Sequence, residues 1–199
     1  MTTYSNIQIG VLALQGDFQR HSYQLDLLGA KAVEVRLPSD LEQLDALIFP
    51  GGESTTMDRL IDRFNLRESL LALGQSKPVW GTCAGMVMLA KHVENNQAGI
   101  KTLGLLDIDV TRNGYGRQVF SFETNITADL GSEPVELTAT FIRAPRVTRT
   151  GPGVKSLAAY QDSSVLVRQR NILASSFHTE LDDNTKLLNY FLKECVSAG

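Results

Sequence analysis

Short, branched apolar runs alternate with amphipathic stretches through the first half of the chain, and no other feature restricts the possible folds as much. IGVLALQ, from Ile9 to Gln15, is a continuous apolar run closed by Gly16, which predicts a strand buried on both faces. From Asp17 to Leu28 apolar residues fall at Phe18, Leu25 and Leu28 among polar ones, with Gly29 as a stop signal, so a helix is expected there. The order then repeats. KAVEVRL and DALIFP are the next strands, the second ending at Pro50-Gly51-Gly52. STTMDRLIDRFNLRESLLALG reads as one helix capped by Ser54 or Thr55, KPVWGTC as a fourth strand, and AGMVMLAKHV as a further helix. Parallel neighbours need crossover connections, so this alternation implies an α/β fold: a mostly parallel sheet with helices on both faces.

The second half changes character. LGLLDIDVTRN, RQVFSFETNI, VELTATFIRAP and SSVLVRQRNILASSF are alternating, β-branched and aromatic, which predicts additional antiparallel strands. DNTKLLNYFLKECV closes the chain as a helix. No linker divides the sequence, so one domain over residues 1–199 is expected.

Charge and cysteine usage remove several function classes. A formal net charge of -3 and no local basic stripe argue against a nucleic-acid partner. The two cysteines, Cys83 and Cys195, lack CxxC spacing, so neither a disulfide framework nor a zinc site is expected. Cys195, near the end of the last helix, reads as an ordinary surface or packing thiol. The first residues carry no basic n-region, and Gln15-Gly16-Asp17 interrupts their apolar run. They read as neither signal peptide nor membrane span, and a cytoplasmic protein is expected.

The sharpest local signal is VWGTCAGMVML, in which a strand feeds a Gly-x-Cys-x-Gly turn that opens a helix. It is the thiol counterpart of the Gly-x-Ser-x-Gly nucleophile elbow. Side chains two positions either side of the nucleophile would collide with neighbouring backbone, and Gly81 and Gly85 remove that conflict. A helix N-terminus at Cys83 favours the thiolate, the nucleophilic form. Alone, this motif leaves Cys83 open between a buried structural thiol and a catalyst. NILASSFHTEL adds a second element, placing His178 and Glu180 two residues apart at a strand's end, where ligands collect in open α/β sheets. A histidine beside a thiol can take its proton and later give one to a leaving amine, while a carboxylate fixes the imidazole's tautomer. His21 and His92 fall in helical patterns and read as surface or packing residues. An oxyanion needs backbone donors; Ala84 offers one, and the PGGEST turn a second, with the N–H of Gly52 favoured.

On these residues the chain resembles the class I, triad-type glutamine amidotransferase family, and within it the glutaminase subunits of pyridoxal 5'-phosphate synthases. The resemblance runs through GVLALQGDFQRH, PGGESTTMDRLID, GTCAGMVMLAK, LGLLDIDVTRNGYGRQVFSFE, FIRAP and SFHTEL, in that order. It implies a flavodoxin-like fold and a Cys83–His178–Glu180 triad. It also implies glutamine contacts from Gly52, Glu53, Ser54, Arg112, Ile142 and Arg143. No metal or organic cofactor is implied. The implied partner is a separate barrel-type synthase that takes the ammonia and joins it to a pentose phosphate and a triose phosphate. Glutaminase activity is expected to be low until that partner binds. Arg112 and Arg143 suit a substrate carboxylate through charge-assisted hydrogen bonds; Ile142 would act through its backbone.

The chain departs from the family at Thr179, where His-Pro-Glu is usual; threonine restores a backbone donor and some freedom. Three rivals remain in view. A glutaminase for another synthase, such as that of histidine biosynthesis, is disfavoured by PGGESTT, RNGYGRQ and FIRAP. A peptidase or stress protein of similar fold would often carry histidine where Ala84 stands. A non-catalytic scaffold has only Thr179 in its favour.

Overall fold

A computed structural model describes residues 4–115 and 121–197. In chain order the elements are β1 (Gln8–Leu12), α1 (Phe18–Leu27), β2 (Lys31–Val35), β3 (Ala46–Phe49), α2 (Ser54–Arg63), α3 (Arg67–Ser76), β4 (Val79–Thr82), α4 (Ala84–Leu89), β5 (Ala90–Val93), β6 (Leu106–Thr111), β7 (Ser121–Asp129), β8 (Pro134–Ile142), β9 (Arg146–Thr150), β10 (Lys155–Tyr160), β11 (Ser163–Gln169), β12 (Ile172–Ser175) and α5 (Lys186–Phe191).

The main sheet runs β10-β11-β12-β4-β3-β1-β2. From β2 to β12 its neighbours are parallel, and β10 and β11 extend it antiparallel. Alternation along the central strands feeds two cores. Leu47 and Phe49 of β3 face one, packed with Met57 and Ile61 of α2 and Met86 of α4. Ala46 and Ile48 face the other, with Leu25 of α1 and Leu187, Leu188 and Phe191 of α5. Helices thus cover both faces, as strands apolar on both sides require. A three-stranded sheet β5-β6-β9 and the antiparallel hairpin β7-β8 supply the additional strands expected of the second half.

Several expected boundaries move. The stretch 54–74 forms two helices because Asn65 takes φ 55, a left-handed cap that asparagine tolerates, and Leu66 N–H donates to Ile61 O at 2.9 Å. The cap of α2 is neither Ser54 nor Thr55. Glu53 fills that position, its carboxylate accepting from Thr55 N at 3.0 Å and Thr56 N at 2.7 Å. Helix α4 stops at Leu89, and the next four residues pair with β6, so His92 lies exposed on a strand. SSVLVRQRNILASSF is a hairpin whose second strand, β12, is antiparallel to β11 but parallel to β4. The last helix starts at Lys186 and ends in a π turn over Leu192–Val196. Residues 117–120 of the expected RQVFSFETNI strand lie outside the described residues. Strands β9 and β10, missing from the sequence-based expectation, complete the sheets. Among the described residues no helix is long and apolar enough to cross a membrane.

Candidate active site

In open α/β sheets ligands bind beyond the carboxyl ends of the strands, where the strand order reverses. The order here reverses between β1 and β3, and the residues after β1, β3, β4 and β12 meet at that edge. A cleft of about 320 Å³ opens there, at the small end of ligand pockets and suited to one amino acid. Its lining includes Gly51, Gly52, Glu53, Ser54, Cys83, Ala84, Arg112, Ile142, Arg143 and His178. Nine of the ten site residues expected from sequence or resemblance therefore line one cleft; the tenth, Glu180, lies behind His178.

Cys83 follows β4 directly, with φ 50 and ψ -102. A non-glycine residue in that conformation is strained, as expected of a tight elbow held by its surroundings. The turn is as tight as the flanking glycines imply. A Cβ on Gly81 would stand 2.6 Å from the carbonyl carbon of Gly85, and one on Gly85 would overlap Phe49 O. Cys83 N–H donates to Ser175 O at 2.8 Å, tying the elbow to β12. Its Sγ lies 3.8 Å from Ile142 O.

His178 and Glu180 follow β12, the strand beside β4. His178 Nδ1 is 2.5 Å from Glu180 Oε1, and both side chains are buried. Burial alone would lower the imidazole's pKa, but the neighbouring Cys83 and Glu180 side chains outweigh it and raise it to about 10. Burial likewise opposes ionisation of Glu180; His21 and His178 more than offset it, bringing the carboxyl to about 2. The second oxygen, Oε2, accepts from Thr179 N at 3.0 Å. Threonine in place of the usual proline thus supplies a donor that proline lacks.

The substrate side of the cleft is partly self-bonded. Arg112 Nη2 lies 3.0 Å from Glu53 Oε1, holding the arginine at the rim. Burial raises the pKa of Glu53, yet hydrogen bonds from Thr56 and Thr55 outweigh it and bring it to about 2. Gly52 has φ 146, and a Cβ there would meet the side chain of Gln15, whose Oε1 accepts from Glu53 N at 2.9 Å. The loop after β1 therefore packs against the loop after β3. Arg143 has φ 45, which turns the chain sharply after β8.

Sequence reasoning passed over two groups. Asp17, Val87, Asn113, Pro145 and Leu181 complete the lining of the cleft, with no pattern to mark them. His21 is fully buried with its Nε2 3.6 Å from Glu180 Oε1. A signal existed for it: His21, Gln24 and Leu25 share one helical face, and all three are buried. Cys195 is a buried packing thiol, and burial pushes its pKa up to about 11. No group of metal-ligating side chains occurs among the described residues.

Residues 11–197 match the model of the SNO glutamine amidotransferase family. A pyridoxal 5'-phosphate synthase subunit PdxT from Pelotomaculum thermopropionicum is 48% identical over 195 residues, covering 97% of each chain. The subunit of the same name from Dehalococcoides mccartyi is 48% identical over 94% of this chain and 96% of its own. A crystal structure described as a glutamine amidotransferase superposes with a TM-score of 0.87 at 44% identity, covering 94% of this chain and 98% of that one. The structure of PurLQS from Thermotoga maritima, at 14% identity and a TM-score of 0.70, shares the fold.

Proposed function

This chain belongs to the SNO glutamine amidotransferase family, and from that premise and the geometry of the cleft we propose that Cys83, His178 and Glu180 are its catalytic triad. The chain is a glutaminase: it hydrolyses L-glutamine to L-glutamate and ammonia, and the ammonia serves pyridoxal 5'-phosphate synthesis. One observation supports the residue assignment above the others. Cys83 and His178 leave adjacent parallel strands into the same cleft, with Glu180 directly behind the imidazole.

In this reading the Cys83 thiolate bonds to the side-chain amide carbon of glutamine, and the carbonyl electron pair moves onto oxygen. The N–H groups of Gly52 and Ala84 stabilise that oxyanion. As the intermediate collapses, the C–N bond breaks and His178 gives its proton to the leaving nitrogen, releasing ammonia. Water, deprotonated by His178, then attacks the γ-glutamyl thioester; glutamate leaves and the thiolate returns. Glu180 holds the imidazole's other nitrogen throughout. Arg112 and Arg143 bind the substrate carboxylate, and Gly52, Glu53, Ser54 and the backbone of Ile142 complete the glutamine pocket.

The protein works with a synthase subunit; the proposal extends to a barrel-type synthase as that partner, to cytoplasmic location, and to a single domain spanning residues 1–199. Free ammonia is protonated and lost in water, so direct transfer to the partner matches the chemistry. Glutamate release is measured with and without the cognate synthase subunit, for the wild type and Cys83→Ala. The expected result is partner-stimulated turnover in the wild type and none in the variant. Unchanged turnover in Cys83→Ala removes Cys83 as the nucleophile.

A further inference from the structure

One buried titratable side chain near the site takes no part in the chemistry described so far: His21 of α1. It is fully buried, and neither ring nitrogen has a hydrogen-bond partner among the described residues. Its Nε2 lies 3.6 Å from Oε1 of Glu180, which is also fully buried. That same oxygen faces His178 Nδ1 at 2.5 Å, so one carboxylate oxygen sits between two imidazoles. On its other side the His21 ring meets Trp80 edge-on, with centroids 5.5 Å apart and planes at 83°.

We propose that His21 is a positioning residue for glutamine hydrolysis: a neutral imidazole, protonated on Nε2, that aims its N–H dipole at Glu180 Oε1 and holds the carboxylate in register with His178. The inference rests on the triad reading above. At 3.6 Å the contact is longer than a hydrogen bond, so it acts as an ion–dipole interaction, which gains strength where water is excluded. A buried imidazole with both nitrogens unpaired is costly to keep, and the Glu180 carboxylate is the charge that offsets the cost. Burial lowers the pKa of His21 against the pull of Glu180 and Asp17, with His178 acting in the same direction as burial. The side chain is therefore neutral and does not compete with His178 as a cation. Its helix is anchored to the same segment: Gln24 Nε2 donates to Thr179 O at 2.9 Å and to Asp182 O at 3.0 Å. Thr179 N–H holds the second carboxylate oxygen. Among the described residues, removing His21 leaves His178 as the only side chain restraining Oε1, and the imidazole's aim then follows the carboxylate's rotation.

The test measures kcat and KM for glutamine in the complex with the cognate synthase subunit, for the wild type, His21→Leu, His21→Gln and Cys83→Ala. His21→Leu should lower kcat about tenfold or more, the scale of a lost interaction with a charged group, with KM unchanged. His21→Gln, whose amide N–H reaches the same position, should recover most of that loss. Wild-type kcat in His21→Leu beside an inactive Cys83→Ala overturns this inference alone, as does an equal loss in Leu and Gln variants. Turnover surviving in Cys83→Ala overturns the triad reading and this inference with it. A second measurement needs no variant: nitrogen-15 NMR of the wild type should find His21 neutral with its proton on Nε2, and a proton on Nδ1 overturns the proposal.

Discussion

The elbow's geometry makes Gly81→Ala a sharp probe. Neither Gly81 nor Gly85 has a left-handed φ, so both are glycine for space rather than backbone freedom. A Cβ at Gly81 would stand 2.6 Å from Gly85 C and 2.7 Å from both Gly85 O and Leu89 Cδ1, against the 3.4 Å at which ordinary contact begins. Leu89 can turn aside, but Gly85 is backbone, so the strand and helix must part by roughly 0.8 Å at the turn that holds Cys83. Overpacking of that kind costs about 1–3 kcal/mol, and in a chain of this length each kcal/mol lowers Tm by about 2–4 °C. The catalytic loss is larger, because a displacement near 1 Å at a reacting atom costs on the order of a hundredfold. Glutamate release in the synthase complex and a thermal melt are measured together. Gly104→Ala is the control: none of the described residues lies within 4 Å of its Cβ, while φ 64 imposes strain of about 1–2 kcal/mol. It should lower Tm and leave kcat alone. Wild-type kcat in Gly81→Ala, or an equal loss in Gly104→Ala, would refute the steric account of the elbow.

Three other outcomes follow from the site. Thr179→Pro deletes the N–H that donates to Glu180 Oε2, so the denaturant midpoint should fall by the equivalent of about 1.5–3 kcal/mol; an unchanged midpoint contradicts that role for the amide. Arg112→Ala should raise KM for glutamine about tenfold or more with kcat little changed, and a loss confined to kcat would argue against carboxylate binding. Because Glu180 titrates near pH 2 in the fold against an ordinary value of 4.5, its contribution to stability is complete above 4.5 and lost as pH falls towards 2. Glu180→Gln should flatten the unfolding midpoint across that window, and parallel profiles for variant and wild type would show that the carboxylate is not the group titrating there.

What could be read in the sequence depended on how local its cause was. The elbow was legible because the constraint on Gly81 arises within five residues, from the backbone of Gly85, although the one on Gly85 comes from Phe49 of β3. The parallel strands were legible because two-sided burial leaves unbroken apolar runs such as ALIF and VWGT. The break at Asn65 was hidden, since asparagine caps a helix without the signature of glycine. The end of α4 was hidden as well: nothing in AKHV forbids a helix, and pairing with β6 decides it. His21 was weighed as a helical histidine, yet its meaning lies in a carboxylate from the last part of the chain, which no window on α1 contains. The Glu53 cap is local but escaped notice for another reason: Ser54 and Thr55 offered the more familiar signal.

One pair of backbone hydrogen bonds carries a consequence for how substrate and catalyst communicate. Thr140 N–H donates to His178 O at 3.2 Å, and His178 N–H donates to Thr140 O at 2.9 Å, so the proposed catalytic base is stitched to β8 two residues before Ile142 and three before Arg143. The hairpin proposed to meet glutamine and the loop that carries the imidazole are therefore tied together. Linkage then makes the traffic two-way: whatever free energy substrate gains by ordering the end of β8 is returned as order at His178, and a loosened His178 weakens substrate binding by the same amount. Amide exchange at Thr140 and His178 should therefore slow together when glutamine, or an analogue that stops at the thioester, fills the cleft.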